Sequence, residues 1–311
     1  MLSLAARPPS TSSNERANPR HFHHSTYPAR RIASARGRRG LSVSVCLPAR
    51  ECAQTVGEIV RQLARLRAEG VLDEIVVVDA ASADGTAAMA RRAGARTYQE
   101  AELMPAYGPV LGKGDAMWRA LSVLGGELVC YLDADTERFS PHFVCGLLGP
   151  LLCEPGVSFV KAYYRRPIAV GEHLLADGGG RVNQLLARPA LELFYPQLAG
   201  VRQPLAGEVA ARRALLERVP FATGYGVEIA MLIDAWREVG LEGIAQVDLE
   251  EHRNRHQPLG ALTSMAHAVL ATIAVRLERE GRLGLAAGVD DGSAAAGAPL
   301  ERPPLARAGS A

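Results

Sequence analysis

Lysine is nearly missing from this sequence: of 35 basic side chains, only Lys113 and Lys161 are lysines. A compact ammonium and a planar guanidinium do different chemistry. A composition that writes arginine almost everywhere therefore marks these two positions as candidates for a specific task, with chance survival as the alternative. Aromatic residues are also scarce, at 5%. The five cysteines, Cys46, Cys52, Cys130, Cys145 and Cys153, show no CxxC spacing and sit in apolar runs. That argues against a disulfide framework or a zinc site, and for reduced core thiols in a cytoplasmic protein. No apolar stretch is read as long enough to span a bilayer, and no apolar h-region with a small-residue cleavage site opens the chain.

What is present is a chain of 311 residues with 48% hydrophobic content, enough for one substantial core or two closely packed halves. The net charge of +2 is unevenly spread. Residues 1–40 hold eight arginines and one acidic residue, Glu15, so that segment carries +7 and the remainder about −5. An acidic body does not suit a nucleic-acid binder. Residues 1–40 and 286–311 lack hydrophobic period, and both are expected to be disordered tails, the first basic and the second rich in Ala, Gly and Pro.

Between them the pattern alternates. Leu41 to Leu47 reads as a buried strand ended by Pro48, Thr55 to Arg67 as a helix, Glu74 to Asp79 as a strand and Ala83 to Ala93 as a helix. Gly114 to Leu124 reads as a helix and Glu127 to Leu132 as a third strand. Further apolar runs lie at Val157 to Tyr163 and Ile244 to Leu249, with helices near Arg181 to Leu193, Gly226 to Val239 and Leu259 to Leu277. Strands alternating with helices predict an α/β protein with a mostly parallel sheet covered on both faces. Ligands in such sheets bind beyond the carboxyl ends of the strands. Pro48, Ala49, Arg50 and Glu51 fall there after the first strand, Asp79 after the second, and Asp133, Ala134 and Asp135 after the third.

Asp133 and Asp135 flank one residue in extended backbone, so both acids share a face. Close carboxylates repel unless a cation lies beside them, and a hard ion such as Mg²⁺ or Mn²⁺ takes oxygen ligands and bridges phosphates; a solvated turn is the alternative. Gly112–Lys113–Gly114 precedes a helix and combines backbone access with a point charge, as a phosphate site requires; a flexible loop would look the same. Gly178–Gly179–Gly180–Arg181 ahead of a helical segment is either an anion site or a linker. Glu251 to His256 offers His252 as a metal ligand and arginines for a phosphate, or is a solvated charge run. Tyr225 and Glu228, at a helix start between and after glycines, could face a sugar, although a Glu in a first helical turn is also favoured by the helix dipole. A nucleotide diphosphate with a metal on one side and a second anion on the other would account for the set. Pro48 to Thr55 contains no glycine, so the dinucleotide fingerprint of a nicotinamide-dependent oxidoreductase is absent.

The order of Leu47–Pro48–Ala49, Val78–Asp79, Gly112–Lys113–Gly114, Asp133–Ala134–Asp135, Val160–Lys161–Ala162–Tyr163–Tyr164–Arg165–Arg166–Pro167, Gly179–Gly180–Arg181–Val182, Gln203 to Glu208, Gly224 to Ile229 and Glu251 to Arg255 resembles the glucosyl-3-phosphoglycerate synthases and their mannosyl-3-phosphoglycerate relatives, retaining glycosyltransferases of the GT-A fold. The resemblance runs from about residue 41 to 280. It implies a nucleotide-sugar-binding half over 41–140, an acceptor-binding half of the same domain over 141–285, and a homodimer. It places Pro48, Ala49 and Glu51 in the nucleoside pocket, Lys113 near the base or ribose, Asp133 beside the ribose, and Asp135 and His252 on the divalent cation. Gly180, Arg181, Val182, Asn183 and Asn254 would hold 3-phosphoglycerate, and Tyr225 and Glu228 would face the donor sugar. Asp135, Glu228 and Arg181 are thereby the catalytic candidates.

Three departures stand out, two in the nucleoside pocket and one, Asn183, in the acceptor loop. Cys52 stands beside Glu51 where glucosyl members carry an acidic residue, Ala80 follows the second-strand Asp where they carry Ser, and Asn183 stands where a Thr is familiar. The first two lie in the nucleoside pocket and point from UDP-glucose toward GDP-mannose, or toward relaxed donor choice.

Overall fold

A computed structural model describes residues 18–170, 173–175, 178–253, 259–284 and 301–308. The elements in chain order are β1 (Arg20–His23), α1 (Ala29–Arg39), β2 (Val43–Ala49), α2 (Val56–Ala68), β3 (Glu74–Asp79), α3 (Thr86–Ala93), β4 (Arg96–Gln99), α4 (Lys113–Ala120), β5 (Leu128–Tyr131), α5 (His142–Cys153) and β6 (Phe159–Arg165). A hairpin of β7 (Ile168–Val170) and β8 (His173–Leu175) follows, then a π-helical turn, Asn183–Ala187, leading into α6 (Arg188–Phe194). The chain continues through β9 (Val209–Arg212), α7 (Arg213–Leu216), β10 (Phe221–Ala222), α8 (Val227–Val239), β11 (Ile244–Glu251), α9 (Leu259–Arg279), β12 (Glu301–Arg302) and α10 (Leu305–Ala308).

Eight strands form one sheet in the order β1-β11-β6-β9-β5-β2-β3-β4. All neighbours are parallel except β9, which runs antiparallel to both β5 and β6. Alternate side chains of the inner strands sort to opposite faces. Val45, Leu47, Ile75, Val77 and Cys130 join α1, α2 and α5 in one core, while Cys46, Val76, Val78, Val129 and Tyr131 join α4, α8 and α9 in the other. The mostly parallel α/β sheet expected from the sequence is observed. β2 continues through Pro48 instead of stopping there, because its ladder with β5 ends at Cys46 and the missing proline N–H leaves no bond unmade on that side. All five cysteines are free, and burial pushes the Cys52 thiol up to about 11.

Both tails are in part folded, contrary to the sequence reading. β1 pairs in parallel with β11 at the sheet edge, and Tyr27 is buried against α5, where a Cβ on Gly149 would lie 2.1 Å from its ring. Backbone pairing holds β1, its side chains alternating between half-buried and exposed, so no hydrophobic period announces it. At the other end β12 pairs with β10, and Arg302 is buried against Asp115 in α4. Arg302 Nε and Nη2 donate to the two Asp115 oxygens at 2.7 and 2.9 Å, and Nη1 donates to Tyr107 O at 2.6 Å. Trp118 Nε1 donates to Pro303 O at 2.8 Å, and Tyr107 OH to Ala308 O at 2.6 Å. The segment thus straps the loop that leads into Lys113. Asp115 also keeps Arg119 Nε at 3.0 Å, so losing Arg302 leaves it half-paired and costs less than the about 3–5 kcal/mol of a stranded buried charge. Arg302→Ala is accordingly expected to lower the thermal midpoint by several degrees, whereas an unchanged melt would show that the strap is not part of the folded core.

α9 is long and apolar enough by composition to cross a membrane, over Gly260–Arg279, although the sequence reading found no such stretch. Its Ala268, Val269, Ile273 and Leu277 are buried in the protein, and the buried Arg276 donates from Nε to Asp234 Oδ2 at 3.1 Å. A helix carrying a guanidinium paired inside the core is accounted for as a core helix.

Candidate active site

β2, β3, β5, β6 and β11 all end on the same edge of the sheet, and antiparallel β9 begins there, so the residues just beyond them converge. Lys113, the first residue of α4, reaches across this edge. Its Nζ lies 2.6 Å from Asp133 Oδ1 and 2.8 Å from Glu228 Oε1. Burial alone would depress the ammonium, but the two carboxylates overcome it and hold Lys113 well above the usual lysine range. A Cβ on Gly207 would lie 2.3 Å from Asp133 Oδ2, so only glycine allows that carboxylate its place. Gly114 is needed for the same kind of reason, since a Cβ there would meet Ala222 O of β10 at 1.7 Å.

On the other side of Asp133 stand Glu208, just before β9, and His252, just after β11. Both are buried, with His252 Nε2 2.9 Å from Glu208 Oε1 and 3.1 Å from Thr136 Oγ1. Tyr164 OH donates to Glu208 Oε2 at 2.6 Å, and the Tyr164 ring stacks on His252 at 4.6 Å between centroids. Burial opposes ionisation of Glu208, but His252, the Tyr164 hydroxyl and Arg166 outweigh it and hold the carboxyl far below its ordinary value. One ligand atom each from Asp133, Glu208 and His252 lie within 4.8 Å of one another. Glu208 Oε1 and His252 Nδ1 are shielded and make no hydrogen bond. Two carboxylates and one imidazole, with one oxygen and one nitrogen among them unsatisfied, suit a hard or borderline divalent ion. Asp135 lies in the same field. Burial and Asp133 push its carboxyl up, while Lys113 and His252 pull it down.

The second rare lysine, Lys161 of β6, is wholly buried behind this cluster and donates to Ala206 O at 2.6 Å. Burial lowers it to about 8, against the pull of Glu228 and Glu208. Both lysines therefore converge on one site. Glu208, Lys161, Tyr164 and Arg166 were not among the site residues chosen from the sequence, although Lys161 had been marked by lysine scarcity and all four lie within the motif blocks.

The remaining expected residues divide. Asp79 is buried at the end of β3. Its Oδ2 accepts from Ser82 N–H at 3.2 Å and from Gln99 Nε2 at 3.0 Å, and its Oδ1 has no partner. Glu51 sits in left-handed backbone (φ 53°) and its carboxylate accepts the Ala83 N–H at 2.7 Å, so it braces the loop after β3. Pro48 and Ala49 lie at the strand end beside it, and Arg50 is exposed. Ala134 is buried and its carbonyl accepts from Thr55 Oγ1 at 2.6 Å. Tyr225 is half exposed. Gly180 adopts left-handed backbone (φ 69°) and a helical segment starts at Arg181. Val182 is buried, and Asn183 turns its amide to the 202–205 loop, bonding Arg202 O and the Leu205 N–H at 3.3 and 3.2 Å. Asn254 lies outside the described residues. A cavity of about 770 Å³ opens next to Tyr164, lined by Arg165, Arg188, Arg202, Gln184 and Gln203 among others.

Glu100, following β4, is 2% exposed and its Oε1 has no partner. Burial, with Asp115 nearby, raises its carboxyl to about 7. The folded state then binds a proton more tightly than the unfolded chain, so stability declines as pH rises from about 4.5 to 7 and stays reduced above. Glu100→Gln is expected to raise the melting temperature at pH 8, by up to about 3 kcal/mol of stability, with the gain vanishing near pH 4.5. An equal effect at both pH values would contradict the buried-carboxyl reading.

The glycosyl transferase family 2 model matches residues 44–178. A glucosyl-3-phosphoglycerate synthase of Mycolicibacterium smegmatis is 45% identical over 237 residues, 76% of this chain and 78% of that one. The crystal structure of mannosyl-3-phosphoglycerate synthase from Rubrobacter xylanophilus superposes with a TM-score of 0.84 at 45% identity, covering 93% of this chain and 96% of that one. The structure of the Mycobacterium tuberculosis glucosyl-3-phosphoglycerate synthase with Mn²⁺, UDP and glucosyl-3-phosphoglycerate gives a TM-score of 0.79 at 35% identity, covering 92% and 98%. With its GT-A sheet and a carboxylate–histidine cluster at the strand ends, the chain belongs to the glucosyl- and mannosyl-3-phosphoglycerate synthase family of glycosyltransferases.

Proposed function

We propose that the protein transfers a hexose, with retention, from a nucleotide sugar to 3-phosphoglycerate, using GDP-mannose and accepting UDP-glucose as a second donor. The observation that carries the reading is the meeting, at one sheet edge, of the Asp133–Glu208–His252 cluster with Lys113 and a basic cavity. Asp133, Glu208 and His252, with Asp135 beside them, would hold Mg²⁺ or Mn²⁺. When bound, the ion neutralises charge on the departing diphosphate. Lys113, locked between Asp133 and Glu228, fixes the carboxylate facing the ribose and holds the Glu228 carboxylate in place beside the donor sugar. Arg181 at a helix start, and the arginines of the adjoining cavity, suit an acceptor that carries a carboxylate and a phosphate. Holding the acceptor hydroxyl against the leaving group supplies rate by positioning. Asp79 Oδ1 is free to accept an imide N–H, which uracil and guanine both offer. On the nucleoside side, buried Cys52 stands where the resemblance expects an acidic residue and half-buried Ala80 where it expects Ser, which supports a guanosine donor. The relative from Mycolicibacterium smegmatis supports UDP-glucose as the second reading.

The test is nucleotide release from GDP-mannose and UDP-glucose in parallel, with Mn²⁺ or chelator and with or without 3-phosphoglycerate. Release that needs both metal and acceptor is expected, fastest from GDP-mannose. A rate at least as high from UDP-glucose would overturn the donor assignment, and release indifferent to 3-phosphoglycerate would overturn the acceptor.

A further inference from the structure

We infer that Arg302, outside every sequence block that marks the family, is a positioning residue for the sugar donor: it fixes the turn that carries Lys113 and the strand that leads to Glu228. The inference rests on the donor-side roles proposed above for those two residues. Lys113 Nζ lies 2.6 Å from Asp133 and 2.8 Å from Glu228, a bridge that lasts only while the backbones beneath it keep station. Lys113 opens α4 directly after Gly112, whose φ of 91° turns the chain. The Lys113–Glu228 contact therefore has two mounts, the turn before α4 and the strand before α8, and both lead to the C-terminal segment.

The first mount is Asp115, buried two residues into α4. Its Oδ2 accepts the Leu111 N–H at 2.9 Å, which closes the turn across Gly112 and Lys113, and its own N–H donates to Thr223 O at 3.1 Å. Arg302 gives Nε and Nη2 to the two oxygens of this carboxylate, and gives Nη1 and Nη2 to Tyr107 O and Pro109 O at 2.6 and 2.9 Å. A planar fork with five donors suits that task, whereas a point charge cannot reach all four acceptors. Arg119 also stands 3.0 Å from Asp115 Oδ1 and bonds Gly108 O of the same loop. But Arg119 rides on α4 itself, so it cannot tie α4 to another strand. Arg302 comes from β12 and does.

The second mount is β10, which pairs with β12 in the register Phe221↔Arg302 and Ala222↔Glu301. From Ala222 the chain runs to Thr223, which takes the Asp115 N–H, and on through Tyr225 to Glu228 in the first turn of α8. A Cβ on Gly114 would collide with Ala222 O, so α4 rests directly on this strand. Glu301 Oε1 lies 2.7 Å from Arg276 Nη1, and Arg276 in turn holds Asp234 of α8. One short segment thus fixes both the lysine and its Glu228 partner. The acceptor loop hangs elsewhere: the Gly179 N–H donates to Arg166 O at 2.9 Å, and Asn183 bonds the 202–205 loop. Loss of the Arg302 fork is therefore felt by the donor, and not by 3-phosphoglycerate or the cation.

The experiment compares full-length wild type, Arg302→Met, Arg302→Lys and Tyr27→Leu at a temperature where each is folded. Arg302→Met is expected to raise the donor KM about 10-fold or more, while the KM for 3-phosphoglycerate and the Mn²⁺ half-saturation stay within about twofold. Arg302→Lys keeps a charge beside Asp115 but not the fork, so it is expected to regain melting temperature without regaining the donor KM. Tyr27→Leu, which loosens the core on the other face of the sheet, is expected to lower the melt and leave all three constants unchanged. Because coupling is reciprocal, Mn²⁺ with UDP or GDP is expected to slow amide exchange over residues 301–308 in the wild type, and 3-phosphoglycerate alone is not. If Arg302→Met does not fold, the lysine variant and the exchange measurement decide. An unchanged donor KM in the Arg302 variants, equal rises in donor and acceptor KM, a donor KM raised by Tyr27→Leu, or nucleotide binding that leaves exchange over 301–308 as it was would each overturn the proposal. Absence of wild-type turnover with either donor would overturn the proposed function instead, and the exchange measurement would still decide the role of the strap.

Discussion

Replacing Lys113 with methionine is expected to lower kcat/KM by about 10²–10³-fold, the loss usual when a positioned group that stabilises charge is removed. The ammonium is the shared partner of Asp133 and Glu228, whose side chains are only 16% and 11% exposed. Without it two largely buried carboxylates lose their shared counter-ion and repel each other. Asp133 then leaves the position that Gly207 was shaped to admit. Lys113→Arg is expected to rescue little, because a planar guanidinium does not fit between two carboxylates that converge on one point. Steady-state kinetics with both donors measures the effect, and a melting curve separates it from unfolding. If Lys113→Met kept more than half of the wild-type kcat/KM, the role given to this ion triplet would be wrong.

His252→Ala is expected to raise the Mn²⁺ concentration for half-maximal turnover by more than about 100-fold, since even groups behind a metal ligand change affinity by 10–100-fold. Glu208→Gln should act in the same direction, because the amide keeps the shape and the bond from Tyr164 while removing the charge. The readout is initial rate against Mn²⁺ concentration, at donor and acceptor levels that saturate the wild type. An unaltered Mn²⁺ dependence in both variants would remove Glu208 and His252 from the cation site and leave Asp133 and Asp135 as its carboxylates. Sequence alone put Asp135 with His252 on the metal, whereas the side chains that come within ligand distance together are Asp133, Glu208 and His252.

Period and position made the nucleotide half legible. The runs at Glu74–Asp79 and Thr55–Arg67 match β3 and α2, because a buried parallel strand and a half-buried helix both write their surroundings into apolar spacing. The unusual lysines were legible for a different reason: in an arginine-rich chain, two ammonium groups remain where a compact charge must sit among carboxylates or against a carbonyl. β9 was not legible. Its run is four residues long, Val209–Arg212, with two alanines at its centre, and only the neighbours β5 and β6 give it antiparallel partners. α5 hid behind two glycines and Pro150 in a helix that is apolar all round. The glycines are there because Tyr27 from the N-terminal segment closes on Gly149 and Leu249 of β11 closes on Gly146.

The sequence by itself determined the α/β class, the order of strand ends on which acids and lysines fall, and the family to which those blocks point. These follow from local period and from residue identity, which need no knowledge of distant neighbours. Only the tertiary structure decided that Glu208 completes the cluster with Asp133 and His252, that Asn183 and Glu51 brace loops, and that both tails return to the domain. Those outcomes depend on pairings between residues far apart in the chain, such as Asp115 with Arg302 and β1 with β11. Hydrogen bonds and ion pairs of that kind leave no periodic trace, because each is fixed by where the fold places its partner.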